Sequence, residues 1–344
     1  MTARRRPALF EPLPFVGIDA LGGRPHVMVD GAQRPGSVLV LSHWPGTPTP
    51  KKLWRDLSVE IAFAYLASRR DRSLDPDCVS LDHLDEDGLA SLFVLAEPES
   101  AFRLKDRLIS FGRAGDFGVV DSRDSARAVF AIESLCDQKT SPWRERASGS
   151  APWSTICIEE LLARLEEILT RPALFESAWH VEDAKYAASL EALANGEVTI
   201  DERPGASLAI VRVRSHRGGG LSADGGEIPT RVHPFVIHTA TSMPRILVVD
   251  GDRAHYYDRY ETWIRFVSRR LAFRRDLRPL AQHLSSMEKG SATWEADPPG
   301  KLVPRLTPSG SSTLAPETIE QAVIEHLERA SVAWDPFRSQ RPVA

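Results

Sequence analysis

The sequence predicts an α/β fold, a parallel-sheet domain followed by a smaller α+β domain, and three observations carry that expectation. Continuously apolar stretches at 26–30, 37–43 and 78–82 alternate with helix-length segments, the pattern of a parallel sheet covered on both faces. The first of these strands ends in Asp30, the second in His43, and the third runs into His83, Asp85 and Asp87. In such sheets ligands gather outside the carboxyl ends of the strands. From about residue 198 the character shifts to strand-like runs separated by turns.

In order, His26-Val-Met-Val-Asp30 and Ser37-Val-Leu-Val-Leu-Ser-His43 read as short buried strands, and a proline-rich turn occupies 44–50. Residues 51–68 are expected to be helical, because Leu53, Leu57, Ile61 and Tyr65 recur on one stripe. The strand at 78–82 leads to a helix from Leu89. A further helix over 101–114 delivers Arg113-Ala-Gly-Asp116, where an aspartate between glycines also suits a plain turn. Residues 139–152 mix serine, proline, glycine and charges, as a loop or lid does. Helices are expected at 156–170 and 178–195, the second stopped by Asn195-Gly196. Beyond them, 208–213, 234–239 and 245–250 are strand candidates, and Asp250-Gly-Asp-Arg253 reads as a hairpin turn. A helix over 258–270 would turn Tyr260, Trp263, Ile264, Val267 and Leu271 inward. Two more are expected, over 276–287 and from Ala315 to Arg329. The boundaries follow: a first domain at 1–150, linker helices at 151–197, and an accessory α+β domain at 198–344.

Among 344 residues, 42% hydrophobic and 26% charged content is ordinary for a globular protein. A formal net charge of −4 argues against a surface that coats nucleic acid generally. Three cysteines, Cys78, Cys136 and Cys157, form no CxxC pair and suggest neither a zinc knuckle nor a disulfide framework. Pro7, Glu11, Pro12 and Pro14 stand where a signal peptide needs its apolar core, so a cytoplasmic location and no membrane partner are expected. Gly218-Gly-Gly lacks the Lys-Ser/Thr sequel of a P-loop.

The chemistry centres on Cys78-Val-Ser-Leu-Asp-His83-Leu-Asp85-Glu-Asp87-Gly88. Alternation along a strand brings His83, Asp85 and Asp87 towards one point, and Gly88 lets the chain turn sharply. An imidazole and two carboxylates pushed together repel unless a cation sits among them. Oxygen ligands with an imidazole suit manganese or magnesium, with zinc or iron next. An EF-hand loop starting at His83 fails, because Val94 occupies the position of its last acidic ligand. Two other accounts stay open: an acidic surface turn whose carboxylates cap a helix, and a histidine satisfied by a neighbouring carboxylate.

The run His83-Leu-Asp85-Glu-Asp87-Gly88-Leu-Ala-Ser91 resembles the first motif of the DHH phosphoesterase superfamily of pyrophosphatases, oligonucleotide hydrolases and single-strand exonucleases. Val-Met-Val-Asp30 is similar to that family's strand-end aspartate, Val-Leu-Ser-His43-Trp44 to its Asp-His-His strand, Asp56-Leu-Ser58-Val-Glu-Ile-Ala to the helix after it, and Ala114-Gly-Asp116 to its last aspartate. The order is that of a circular permutation, with the usual first motif third, and the resemblance covers about 24–120. Ser42 and Trp44 replace the flanking aspartate and second histidine, so an imidazole that contacts substrate or shuttles protons is missing. The Ser-His216-Arg-Gly-Gly-Gly220 stretch resembles the accessory domain's glycine-rich loop with its order inverted.

The resemblance implies two divalent ions, manganese first and magnesium next, that share Asp30. His83 and Asp85 would complete one ligand set; Asp87, His43 and Asp116 would complete the other. It also implies a phosphohydrolase or phosphodiesterase in which Asp87, His43 and Arg113 take part. The substrate would be a nucleotide, a small phosphorylated molecule or a short single-stranded nucleic acid. A surface arginine is the plain alternative for Arg113. Arg269, Arg270, Arg274, Arg275 and Arg278 could track phosphates, and Tyr256, Tyr257, Tyr260 and Trp263 could stack bases, although aromatics at helical spacing are more often core. The rival reading is a non-catalytic protein that keeps the metal or nucleotide pocket. A third is an unrelated α/β domain with solvated acidic turns.

Overall fold

The computed structural model describes residues 11–68, 76–148, 151–214, 231–251 and 253–338. Pro7, the His216 and glycine stretch, and Asp252 of the hairpin turn lie outside the described residues. The chain is mixed α/β and splits into two compact units, Met1–Asp116 with Val120–His180 and Phe117–Val119 with Val181–Ala344. They are of similar length, and the division near residue 180 falls within a helix of the stretch expected as a linker.

The first unit holds β1 (His26–Val29), β2 (Ser37–Leu41), α1 (Ser58–Ser68), β3 (Cys78–Ser80), α2 (Glu86–Ala96), α3 (Pro98–Arg103) and α4 (Lys105–Phe117), then α5 (Arg123–Cys136), α6 (Trp153–Leu162) and α7 (Leu165–Thr170). Its three strands form a parallel sheet in the order β2-β1-β3. Val27, Met28, Val29, Leu41 and Val79 are fully buried, which is why these strands read as unbroken apolar runs. Helix α2 is buried from Asp87 to Ala96, so it too is apolar on every side.

Several local expectations change. β3 ends at Ser80, and α2 begins at Glu86, earlier than the expected Leu89. Asp85 is its N-cap: one carboxylate oxygen accepts the Gly88 N–H at 2.8 Å. His83, Asp85 and Asp87 therefore meet through a strand, bend and helix start, not through strand alternation. Gly88 sits inside the first turn, where a Cβ would lie 2.8 Å from the Asp85 carboxylate and 2.9 Å from Leu81. Its part is to admit close neighbours. Residues 51–57 are a 3-10 turn and loop ahead of α1, and Asp116 is helical, in the last turn of α4. Helix α5, capped by Ser122, was not expected.

The second unit contains α8 (Glu176–Ala194), β4 (Val198–Arg203), β5 (Leu208–Val213), α9 (Pro234–Ala240), β6 (Arg245–Asp250) and β7 (Arg253–Asp258). They are followed by β8 (Arg274–Arg275), α10 (Arg278–Met287), β9 (Trp294–Ala296), β10 (Arg305–Pro308), α11 (Pro316–Arg329) and β11 (Val332–Trp334). A six-stranded sheet runs β4-β5-β6-β7-β10-β9, with only β5 and β6 parallel. Leu280 and Leu284 of α10 and Ile319, Val323 and Leu327 of α11 pack on it with Leu247 and Tyr256.

Here 234–239 is helical, not a strand. Pro234 stands at its first position and the His233 ring accepts the Phe235 N–H at 3.1 Å, a start for which proline is well shaped. The helix expected over 258–270 is replaced by the end of β7, a 3-10 turn at Tyr260–Thr262 and irregular chain. Trp263 and Ile264 are still buried, but Val267 is 39% exposed. The hairpin of β6 and β7 forms, with Asp250 opposite Arg253. No helix among the described residues is long and apolar enough to cross a membrane.

Candidate metal centre

The carboxyl ends of β1, β2 and β3 converge on one acid cluster. Asp30 follows β1 in a left-handed backbone conformation (φ 42°), which aspartate tolerates better than most residues. It is 1% exposed. His43 follows β2 and is equally buried. Asp82 and His83 follow β3, Asp85 and Asp87 start α2, and Asp116 arrives from α4.

Ser58, the first residue of α1, ties Asp30, His43 and Asp87 together. Its hydroxyl donates to Asp30 Oδ1 at 2.6 Å and accepts the His43 backbone N–H at 3.2 Å. Its own N–H donates to Asp87 Oδ2 at 2.6 Å, and the Val59 N–H donates to Asp87 Oδ1 at 2.9 Å. Leu57, ahead of α1, has no side-chain acceptor, so Asp87 closes the helix start from another helix. Glu60 reaches back to the Leu57 N–H at 3.3 Å, as in a capping box.

The His43 ring has a defined orientation. Nδ1 donates to the Asp56 carbonyl at 2.6 Å, so in the neutral ring Nε2 carries the lone pair. That atom lies 3.3 Å from Asp30 Oδ1 and 3.6 Å from Asp116 Oδ2. The Asp116 side chain is 4% exposed, and its Oδ2 has no hydrogen-bond partner among the described residues. A lone pair and two carboxylate oxygens facing one another repel, and a cation among them reverses the sign of every contact. A ring N–H held by a carbonyl while the other nitrogen faces acids is the usual second-shell arrangement of a metal-ligating histidine.

Two groupings bring ligand atoms within 4.8 Å of one another: Asp30, His43 and Asp87, fully buried, and Asp30, His83 and Asp85, partly open. These Asp and His groups can hold a metal ion. They share Asp30, whose Oδ1 faces His43 and whose Oδ2 lies 3.7 Å from His83 Nε2. In the open group the His83 ring is hydrogen-bonded to Asp85 Oδ2 at 2.7 Å through Nε2 and to Asp82 Oδ1 at 3.0 Å through Nδ1.

The electrostatics follow. Burial first, then the charges of Asp85 and Asp87, push the Asp30 carboxyl well above the usual range, against the pull of His83 and Ser58. Burial, then Asp87, Asp85, Asp30 and Glu86, does the same to Asp116. Asp87 is pushed up to about 8 by burial, with its two backbone N–H donors opposing. Burial works against a charged His83, but Asp85 and Asp82 outweigh it and lift the ring to about 11. The open group is an imidazolium between carboxylates; the buried group is a set of acids short of positive charge.

Two glycines bring Asp116 in. A Cβ on Gly112 would lie 3.0 Å from Asp87 Oδ1, and one on Gly115 would lie 2.4 Å from the Glu86 Cβ. Their spacing puts both on one face of α4, where the helix meets the start of α2. Gly31 plays the same part for Asp82, which would lie 2.5 Å from a Cβ there.

Of the expected ligands, Asp30, His43, His83, Asp85, Asp87 and Asp116 all enter the cluster. Arg113 instead pairs with Asp121 at 3.1 Å, as a surface arginine does. The other basic and aromatic candidates are largely structural. Arg274 is fully buried and donates to Thr262 Oγ1 (2.6 Å) and the carbonyls of Pro299 (2.9 Å) and Leu302 (2.7 Å). Arg278 is paired with Asp276. Tyr256, Tyr257 and Trp263 are core, with no face for a base. Sequence reasoning passed over Ser58's role, Asp82 and the glycine pair. The Gly112-Arg-Ala-Gly115 spacing beside Asp116 was the readable signal for the last.

No curated protein and no solved structure matches the chain. Residues 11–338, nearly the whole of it, match one family model, and the chain belongs to that family, a family of unknown function designated DUF6687.

Proposed function

We propose that the first unit is a divalent-metal centre, for manganese or magnesium, that hydrolyses phosphoester or phosphoanhydride bonds in a nucleotide, an oligonucleotide or another small phosphorylated molecule. The observation that carries this reading is the meeting of His43 Nε2 with Asp30 and the unpartnered Asp116 oxygen, 3.3 and 3.6 Å away inside a buried cluster. His43, Asp30, Asp116 and Asp87 would hold one ion; Asp30, His83 and Asp85 would hold a second. Such ions supply Lewis acidity and lower the pKa of water. The chain's own part is positioning. Asp56 fixes the His43 ring, Ser58 aims Asp30, and the α1 start holds Asp87. The same six ligands carry the resemblance to a circularly permuted DHH phosphoesterase.

Burial weighs against solvated acidic turns, since Asp30 and His43 are each 1% exposed and Asp87 not at all. One observation favours binding without turnover. Trp44, in place of the superfamily's second histidine, lies with its ring centroid 5.1 Å from that of His83 and can neither give nor take a proton at neutral pH. Metal analysis and a manganese-dependent assay on bis(p-nitrophenyl) phosphate and nucleotides separate these readings. Hydrolysis that disappears in Asp116→Asn supports the enzyme; bound metal with no hydrolysis leaves the binding protein. A protein that takes up no manganese at all removes both.

A further inference from the structure

Cys136 and Cys157 take no part in the metal centre, yet the first unit brings them together. Cys136 is the last residue of α5, and Cys157 lies one turn into α6. Their side chains are in hydrogen-bond contact, with the Cys136 S–H donating to the Cys157 sulfur. The backbone agrees. Trp153 stands four residues before Cys157, on the same face of α6, and its indole N–H donates to the Cys136 carbonyl at 2.9 Å. The α6 face that carries Cys157 is therefore turned to the end of α5.

Further contacts hold this arrangement. After α5 the Ser141 N–H donates to the Asp137 carbonyl at 2.7 Å, and the Trp143 N–H donates to the Ser141 hydroxyl at 3.1 Å. Trp143 is buried, with the Arg164 guanidinium 5.8 Å from its ring centroid, and Arg146 is paired with Glu159 of α6 at 3.1 Å. Cys78, by contrast, is buried in β3 with Leu21, Met28 and Val40, as a small apolar residue would be. Accessibility sets the other two apart from such a packing role. Cys157 is fully buried and Cys136 only half-buried, so a small oxidant in solvent meets Cys136 first and finds a second sulfur behind it. An accessible cysteine beside a resolving one is the arrangement of a redox-sensing pair. The hydrogen bond to Cys157, with burial next, pushes the Cys136 thiol up, and the same hydrogen bond draws Cys157 down. Cys136 is thus slow to react, while Cys157 is readied as the second attacking sulfur.

We propose that Cys136 and Cys157 form a reversible disulfide when the protein meets a peroxide. The Cys136 thiol gives its proton to water, and its sulfur attacks one peroxide oxygen. The O–O bond breaks, hydroxide leaves, and Cys136 becomes a sulfenic acid. The Cys157 sulfur gives up its own proton and attacks the Cys136 sulfur; the S–O bond breaks, and the departing hydroxide is protonated to water. In sum, two thiols lose two hydrogens and one hydrogen peroxide is reduced to two waters. The new bond joins α5 to α6, and a dithiol reductant reverses it. None of these steps rests on the metal-centre reading.

The test treats the 344-residue chain, stripped of metal with EDTA and freed of reductant, with excess hydrogen peroxide. Thiols are then counted under denaturing conditions, and peptides are mapped by mass spectrometry. The count is expected to fall from three to one, with a crosslinked Cys136–Cys157 peptide two hydrogens lighter than its separate parts, and dithiothreitol should restore all three thiols. The bond closes a loop of about twenty residues, so the oxidised protein should melt about 6–12 °C above the reduced one. Cys157→Ser, shown to be folded by circular dichroism, should stop at a sulfenic acid on Cys136 that dimedone traps, and Cys78→Ser should crosslink as the wild type does. Four results in the wild type itself overturn the proposal: three thiols left after peroxide, a crosslink to Cys78 or between two chains, sulfinic or sulfonic acid on Cys136 beside an unreacted Cys157, or a crosslinked protein that melts below the reduced one.

Discussion

Asp116→Asn keeps the shape of the side chain and removes one charge from the buried cluster. In the metal-free protein the aspartate is poorly placed: one oxygen has no hydrogen-bond partner among the described residues, and burial with four neighbouring acids pushes its pKa up. An amide there faces the His43 Nε2 lone pair, 3.6 Å from the present oxygen, and can donate to it. The metal-free variant should melt no lower than the wild type. With metal the order reverses. Manganese at a hundred times its Kd stabilises the wild type by about 2.7 kcal/mol. At roughly 2–4 °C per kcal/mol for a domain of this size, the melting temperature rises by about 5–11 °C. Removing a ligand should weaken the site at least as much as losing an outer-shell partner, about 10–100-fold. At the upper figure the same manganese concentration only equals Kd, and the stabilisation drops to about 0.4 kcal/mol, a shift of roughly 1–2 °C. Differential scanning fluorimetry on EDTA-stripped protein with manganese titrated back reads both effects. A variant that shifts as far as the wild type, or a wild type that manganese never shifts, refutes the reasoning.

Gly115→Ala places a Cβ 2.4 Å from the Glu86 Cβ, and helix backbone, not a flexible side-chain tip, must give way. A loss of about 1–3 kcal/mol in urea unfolding is expected, with weaker manganese uptake because Asp116 is the next residue. Arg274→Lys keeps the charge but cannot reproduce the fork that meets Thr262 and several backbone carbonyls. Leaving them unmatched should cost about 1–3 kcal/mol, while the manganese-induced shift persists; unchanged stability would return Arg274 to the pool of phosphate-binding candidates. Burial lowers His255 to about 4, and its Nε2 is buried with no hydrogen-bond partner among the described residues. The folded state therefore resists protonation while the unfolded state accepts it near 6.5. Its contribution is fully present above that pH and is lost between about 6.5 and 4, up to about 3 kcal/mol. His255→Phe should flatten stability over that window, and an unaltered pH profile would show that other groups set it.

The strands at 26–30, 37–43 and 78–82 were legible because strands buried on both faces are uniformly apolar, and their terminal acids and histidines sit where parallel sheets gather ligands. The path from β3 to α2 was not. Alternation along a strand and capping of a helix both explain closely spaced acids, and only the hydrogen bond from Gly88 to Asp85 distinguishes them. The same degeneracy misled at 234–239, where a short apolar run with β-branched residues follows a proline. It misled again at 258–270, where aromatics recur at helical spacing in an irregular segment built around buried Arg259 and Arg274. Tertiary packing, not local periodicity, decides such stretches. Ser58 could not be found from sequence at all, since its role rests on contacts to Asp30, His43 and Asp87, each from a different part of the chain.

Helix capping explains part of the acid cluster, and separating that part sharpens what is left. Asp85 caps α2 and Asp87 closes the start of α1, so two helix N-termini with their partial positive charge face the cluster. Those two carboxylates would be worth keeping in a protein that binds no metal. Asp30 and Asp116 have no such explanation. Asp30 receives one hydroxyl hydrogen bond, from Ser58, and lies near the Asp85 and Asp87 charges that raise its pKa. Asp116 is admitted because two helix positions give up their side chains, and its buried Oδ2 still has no hydrogen-bond partner among the described residues. A fold selected for stability alone would place an apolar residue at 116, which burial would reward by about 1.5–3 kcal/mol. That a carboxylate stands there, turned towards a histidine nitrogen whose proton has been drawn to the other side of the ring, is the feature that a bound cation accounts for and capping does not.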